Sequence, residues 1–222
     1  MKPNRVRPAR FTRLAQSSVL LVMLLCLSGC GALRPGPAGA LTLRGAYEPE
    51  RTLPTGFDTA IYGFDSPDSV TVVLVQGPVD EPERAMTMRL FWEPRAGRTP
   101  LTRDATNTMV RYAHFHTTED GERRVRVYSG AGFVRPRTDA GRTPLRATVR
   151  EATLRLIDVT AEQPDTPDTP DTPIEVTLAG RFTAERDDVA TLSTVRRIEA
   201  AVSETLSYPR FVREDAHEMS KR

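Results

Sequence analysis

The chain has 222 residues, with 31 lysines and arginines against 29 aspartates and glutamates, a formal net charge of +2. Five of the basic residues and none of the acidic ones lie in the first 29 positions, so the other 193 residues carry a net charge of −3. A mildly acidic chain whose arginines are spread along its length lacks the concentrated basic face of a nucleic-acid-binding protein, and we expect no nucleic-acid partner. Its length is enough for one domain with its own core.

The first 29 residues have the three parts of an export signal. Basic residues up to Arg13 precede an unbroken apolar run from Val19 to Leu27, and the small residues Ser28 and Gly29 follow it. The run holds nine residues, whereas crossing the hydrocarbon core takes about 20. We therefore predict a signal peptide over residues 1–29 that is cleaved, rather than a permanent transmembrane helix.

The segment Leu27-Ser28-Gly29-Cys30 resembles the lipobox of bacterial lipoproteins, in which a leucine and two small residues precede an invariant cysteine. The resemblance is confined to the signal peptide. It implies a diacylglycerol and an N-acyl chain on Cys30, and two or more acyl chains anchor a protein stably to a membrane. It also implies, from Gly31 after the cysteine, delivery to the outer membrane with the domain facing the periplasm.

The two cysteines have no role beyond this anchor. Cys26 would leave with the signal peptide and Cys30 would carry lipid, and the chain has no other cysteine. We therefore expect no disulfide, no cysteine nucleophile and no thiolate metal site.

From Cys30 onward, the composition divides the chain into a tether, a domain and a tail. Residues 30–40 are rich in glycine and proline and predict a flexible tether. Residues 41–212 hold the strand and helix patterns and predict a single domain, and residues 213–222 form a charged tail. Three Asp-Thr-Pro units at 164–173 place a proline at every third position, which blocks ladder pairing. We predict an expanded hairpin loop there.

Most of the domain has β-strand patterns. The run Ser69 to Gln76 is rich in β-branched residues and is typical of a buried strand. Thr108 to Thr117 and Arg123 to Ser129 flank an Asp-Gly pair, which is a strong hairpin signal. The clearest alternation runs from Ile174 to Thr183, and we expect this strand to pair with Ala147 to Val159.

The alternation after the Asp-Gly turn predicts one dry face and one wet face for its strand. Val125 and Val127 would lie on the dry face. Arg124, Arg126 and Tyr128 would lie on the wet one.

One helix is predicted over residues 188–206. Asp187 or Asp188 can cap its N-terminus, and Pro209 follows its end. Apolar residues recur at intervals of three and four and define a buried stripe: Leu192, Val195, Ile198, Val202 and Leu206. The predicted fold class is all-β or β-rich α+β, an antiparallel β-sandwich with one C-terminal helix.

His114 and His116 are the candidate metal ligands. They alternate along a predicted strand, so both imidazoles project from the same face and could bind one zinc or copper ion. Glu119, Asp120 or His217 could supply a further ligand. The alternative is that both histidines lie on the solvent face of the strand without a metal.

No catalytic residue is assigned. Ser129 lies in a glycine-rich segment without the G-x-S-x-G spacing of a nucleophile elbow, and Gly130 and Gly132 instead predict a bulge or a close backbone approach. We expect a non-enzymatic lipoprotein of the cell envelope, a structural or protein-interaction module with an envelope protein as partner. The alternatives are a metal-binding protein or metal-dependent hydrolase using His114 and His116, and a small-ligand or lipid-binding sandwich with an apolar cavity.

Overall fold

The computed structural model describes residues 38–91, 106–139, 141, 144–160 and 172–209. Within these ranges nine strands precede one helix, which confirms the predicted β-rich fold with a single C-terminal helix. The elements are β1 Gly39–Gly45, β2 Thr52–Leu53, β3 Thr59–Ser66, β4 Ser69–Gln76, β5 Arg84–Leu90, β6 Thr108–Thr117, β7 Arg123–Pro136, β8 Leu145–Val159, β9 Glu175–Arg186 and α1 Asp188–Leu206.

Several predictions fall outside the described ranges. These are the signal peptide and Cys30, most of the tether, the Asp-Thr-Pro units up to residue 171, the last residues of the predicted domain at 210–212, and the charged tail at 213–222. In the part of the chain that the structure describes, no helix has both the length and the apolar composition needed to cross a membrane.

The nine strands form one sheet in the order β2-β1-β9-β3-β4-β5-β6-β7-β8, and β8 also pairs with β9. Neighbours are antiparallel except β3 and β9, which pair in parallel through Ile61 and Tyr62. Because β9 pairs with β8 along one edge and with β1 and β3 along the other, the sheet from β3 to β9 closes on itself. The layers of the predicted sandwich are therefore parts of one continuous sheet around a common interior.

Three tyrosines fill much of this interior. Tyr62, Tyr112 and Tyr128 are each 0% exposed. The Tyr112 hydroxyl donates to the Pro54 carbonyl at 2.6 Å, and the Tyr128 hydroxyl donates to the Pro173 carbonyl at 3.1 Å. These bonds give the buried hydroxyls the partners that they need. The prediction that Tyr128 faces solvent is wrong, because closure of the sheet turns the face of β7 that carries Tyr128 into the interior.

Helix α1 packs on the outer face of the sheet, against β3, β4 and β7 and the neighbouring residues of β5 and β6. Asp187 caps it by accepting a hydrogen bond from the Ala190 N–H at 2.8 Å. The buried residues of the helix are Thr191, Thr194, Ile198, Ala201, Val202 and Leu206. Val125 and Val127, which were predicted to lie on the dry face, are buried against these helix residues in one hydrophobic cluster.

The predicted apolar stripe of α1 is wrong at Leu192, which is 41% exposed. The first turn is fixed by Asp188, whose carboxylate accepts a hydrogen bond from the Phe64 N–H of β3 at 2.9 Å. Thr191 rather than Leu192 faces the sheet in this turn and is buried.

The close approach predicted at Gly130 and Gly132 is confirmed where β7 pairs with β8. A Cβ atom at Gly130 would lie 2.8 Å from the Leu154 Cα and would overlap the Thr153 carbonyl oxygen. A Cβ atom at Gly132 would overlap Ala152. Glycine at these positions lets the two backbones approach closely as the sheet bends.

Asn107 bonds to the same bent region from the start of β6. Its side chain is 1% exposed, accepts a hydrogen bond from the Val134 N–H and donates one to the Val134 carbonyl, both at 2.7 Å. The β7–β8 register shifts between Phe133 and Val134. The side-chain amide of Asn107 therefore supplies the hydrogen bonds that a neighbouring strand would otherwise give to the backbone N–H and carbonyl of Val134.

Candidate functional site

The inner face of the closed sheet changes from apolar to basic at one end. Tyr112 and Tyr128 are opposite each other in the register of β6 and β7 and lie in the interior. Two residues further along, His114 is opposite Arg84 of β5 on one side and Arg126 of β7 on the other. Directly opposed residues have Cβ atoms about 4.5–5.5 Å apart, so these three side chains are neighbours.

A second basic row follows two residues further still, where His116 is opposite Arg124. The rings of His114 and His116 have centroids 5.9 Å apart, in line with the prediction that they share a face. Both lie on the face that carries the interior tyrosines, and both are half-buried rather than on an open solvent face. We call Arg84, His114, His116, Arg124 and Arg126 the basic cluster.

Burial controls the ionisation of the groups in and beside the cluster. Burial, helped by the positive charges of His116, Arg84 and Arg126, lowers the pKa of His114 from 6.5 to about 4. Its imidazole is therefore neutral at pH 7, with one nitrogen that donates and one that accepts. Burial raises the pKa of Tyr128 to about 12 and also raises the pKa of Tyr112, so both hydroxyls stay protonated.

Three buried polar atoms of the cluster have no hydrogen-bond partner among the described residues. They are the Nε atoms of Arg84 and Arg124 and the Nδ1 atom of His114. An unpaired buried donor costs about 1–3 kcal/mol, and native proteins contain few of them. Several in one cluster indicate a place where a ligand supplies the missing partners.

An open pocket of about 450 Å³ adjoins the cluster at the start of β5 and the end of β6. Arg84, His114 and His116 lie on its wall, with Thr117 and Arg123 also among its lining residues. The Arg123 guanidinium lies over the Phe115 ring, 4.7 Å from its centroid, and donates to the Pro82 carbonyl at 2.8 Å. Arg123 is therefore held in place by the protein, whereas Arg84 and His114 line the pocket and keep a buried polar atom without a partner among the described residues.

The electrostatics of the cluster bear on the metal hypothesis for His114 and His116. Among the described residues no group of three His, Cys, Asp or Glu side chains could hold a metal ion, and His217 lies outside them. Glu119 and Asp120 lie in the turn between β6 and β7. The guanidinium groups beside the imidazoles repel a cation and attract an anion. The metal site stays a prediction, and the described geometry favours an anion.

Sequence reasoning found the two histidines but not the arginines that accompany them. Arg84 belongs to a strand with little alternation, and its position opposite His114 follows only from the β5–β6 register. Arg124 and Arg126 were assigned to a wet face, although this face becomes the inner wall when the sheet closes.

The fold and the cluster together define a class: in the described residues, a closed β-sheet domain with one packed helix and a basic cluster at one end of its interior. No protein-family model, no curated protein and no solved structure matches the chain.

Proposed function

We propose that the protein is a lipoprotein of the bacterial cell envelope, held at the outer membrane by lipid on Cys30 and facing the periplasm. Its folded domain would be a non-enzymatic protein-interaction module. The spacing between the lipobox-like segment and the fold carries this proposal, since β1 begins at Gly39, nine residues after Cys30. Nine residues span at most about 30 Å, so lipid on Cys30 would keep the domain close to the membrane surface.

The basic cluster supports the role of an interaction module. Binding sites combine a concave surface with a few well-placed polar groups that orient the partner. The pocket beside β5 and β6 has this character, because Arg84 and His114 have buried polar atoms with no partner in the described residues. We therefore place the partner contact at this pocket.

A photo-crosslinking amino acid in place of Thr117, an exposed residue of the pocket lining, is expected to capture one discrete protein partner in intact cells. Only a residue near the contact surface lies within reach of the partner. The adduct is detected as a shifted band on an immunoblot and identified by mass spectrometry of the band.

Thr153, an exposed residue of β8, provides the matched control because it is also a threonine on a strand but does not line the pocket. The same crosslinker at Thr153 should give no adduct. Equal adducts at both positions, or none at either, would contradict an interaction role for this pocket.

A further inference from the structure

We propose that the basic cluster binds the carboxylate groups of an acidic segment of the partner protein. This ligand class deepens the proposed function and rests on it for the partner being a protein. The binding chemistry itself belongs to the described side chains and is measurable on the purified chain.

Two guanidinium groups flank the histidines. Arg84 lies on β5 and Arg124 on β7, on either side of the β6 strand that carries His114. Their side chains are only 20% and 14% exposed, and their buried Nε atoms have no partner in the described part of the chain. The Nε–H and one Nη–H of a guanidinium form a planar fork that matches the two oxygens of a carboxylate.

Each of these two guanidinium groups already has a carboxylate of the protein near one of its Nη atoms. Glu83 lies 3.3 Å from an Nη atom of Arg84, and Glu122 lies 3.5 Å from an Nη atom of Arg124. Both glutamates are mostly exposed, at 62% and 69%, and exposed ion pairs contribute little stability. Arg84 lines the pocket, and Arg124 is opposite His116 of the pocket wall. A ligand carboxylate in the pocket would replace these glutamates as partner of the guanidinium groups and so pair the buried Nε atoms.

The charge of the pocket favours a carboxylate over a phosphate. The His114 imidazole is neutral at pH 7 and offers a single hydrogen bond from a ring nitrogen. Glu81 and Glu83 lie on the pocket wall and repel a dianion more strongly than a monoanion. An acidic peptide with separated monoanionic groups fits this arrangement.

The test is a calorimetric titration of the full-length protein in detergent at constant ionic strength. The ligands are a short peptide of alternating glycine and glutamate, its glutamine counterpart, and inorganic phosphate. We expect the glutamate peptide to bind and the glutamine peptide and phosphate not to. A ¹³C spectrum of the histidines should show that the glutamate peptide shifts the His114 resonance.

Arg84→Gln and Arg124→Gln should each weaken binding by about 10- to 100-fold, the effect of one lost charge-assisted hydrogen bond. Arg155→Gln, at an exposed position of β8, should leave binding unchanged. Arg84→Lys, which keeps the charge but loses the fork, should give an intermediate affinity. Circular dichroism checks that each variant is folded. Because two separate arginines are tested, the site can still be judged if one of the two variants fails to fold.

Equal binding of the glutamate and glutamine peptides would overturn the carboxylate site, as would binding of phosphate alone. A loss in Arg155→Gln equal to that in the cluster variants would also overturn it. Because the titration uses purified protein, its failure would refute the ligand chemistry while the Thr117 cross-linking decides the interaction role separately.

Discussion

Gly130→Ala is expected to lower the free energy of unfolding by about 3 kcal/mol, at the upper end of the usual cost of overpacking. The new methyl group would overlap the Thr153 carbonyl oxygen and lie 2.8 Å from the Leu154 Cα, so the β8 backbone itself would have to move. Backbone in the middle of a paired strand moves only by breaking ladder hydrogen bonds. Urea denaturation followed by circular dichroism measures the loss.

Gly56→Ala is the matched control, because a methyl group there would come no closer than 3.9 Å to Gln76 and 4.0 Å to Arg84. We expect a change within about 0.5 kcal/mol or a slight gain from the stiffer unfolded chain. Equal losses in Gly130→Ala and Gly56→Ala would contradict the close packing of β7 on β8.

Asn107→Ala should lower the free energy of unfolding by about 2–5 kcal/mol. The side-chain amide bonds to both the N–H and the carbonyl of Val134 in a buried position. Its removal leaves two buried backbone groups without partners, and each costs about 1–3 kcal/mol. The same urea denaturation measures this loss.

Thr106→Ala tests whether the effect belongs to the Asn107 amide or to any change at the start of β6. Thr106 is exposed, so its truncation should change stability by no more than about 0.5 kcal/mol. If Asn107→Ala proves as stable as the unaltered protein, the bond to Val134 does not hold the bent region of β7.

The elements that local sequence determines were predicted closely. Helix α1 spans the predicted range, because an N-cap aspartate and apolar spacing act within a few residues. The Asp-Gly turn joins β6 and β7 as expected, with Gly121 at a φ of 82°. Pairing of β8 with β9 was also predicted from their alternating patterns and is confirmed.

The errors arose where a face is decided by strands distant in sequence. Tyr128 was assigned to solvent because alternation separates two faces without saying what covers each. Leu192 is exposed because the helix turns Thr191 and Thr194 toward the sheet instead, an orientation that the packing against distant strands decides.

For the same reason, the histidines of the candidate site were predicted and its arginines were not. The spacing of His114 and His116 places them on one face from local geometry alone. Their arginine neighbours follow from the registers of β5 and β7, which only the assembled sheet defines. The bonding of Asn107 to Val134 could not be predicted either, because a lone asparagine before a strand usually indicates a turn.

The most direct test of the lipoprotein assignment is metabolic labelling of growing cells with a clickable palmitate, followed by purification and membrane fractionation. The unaltered protein should carry label and sediment with membranes. Cys26→Ala should behave identically, because that residue lies in the segment predicted to be removed, whereas Cys30→Ala should lose the label and its lipid anchor. Palmitate that persists on Cys30→Ala, or an unaltered protein that takes up no label, would contradict lipid anchoring through Cys30.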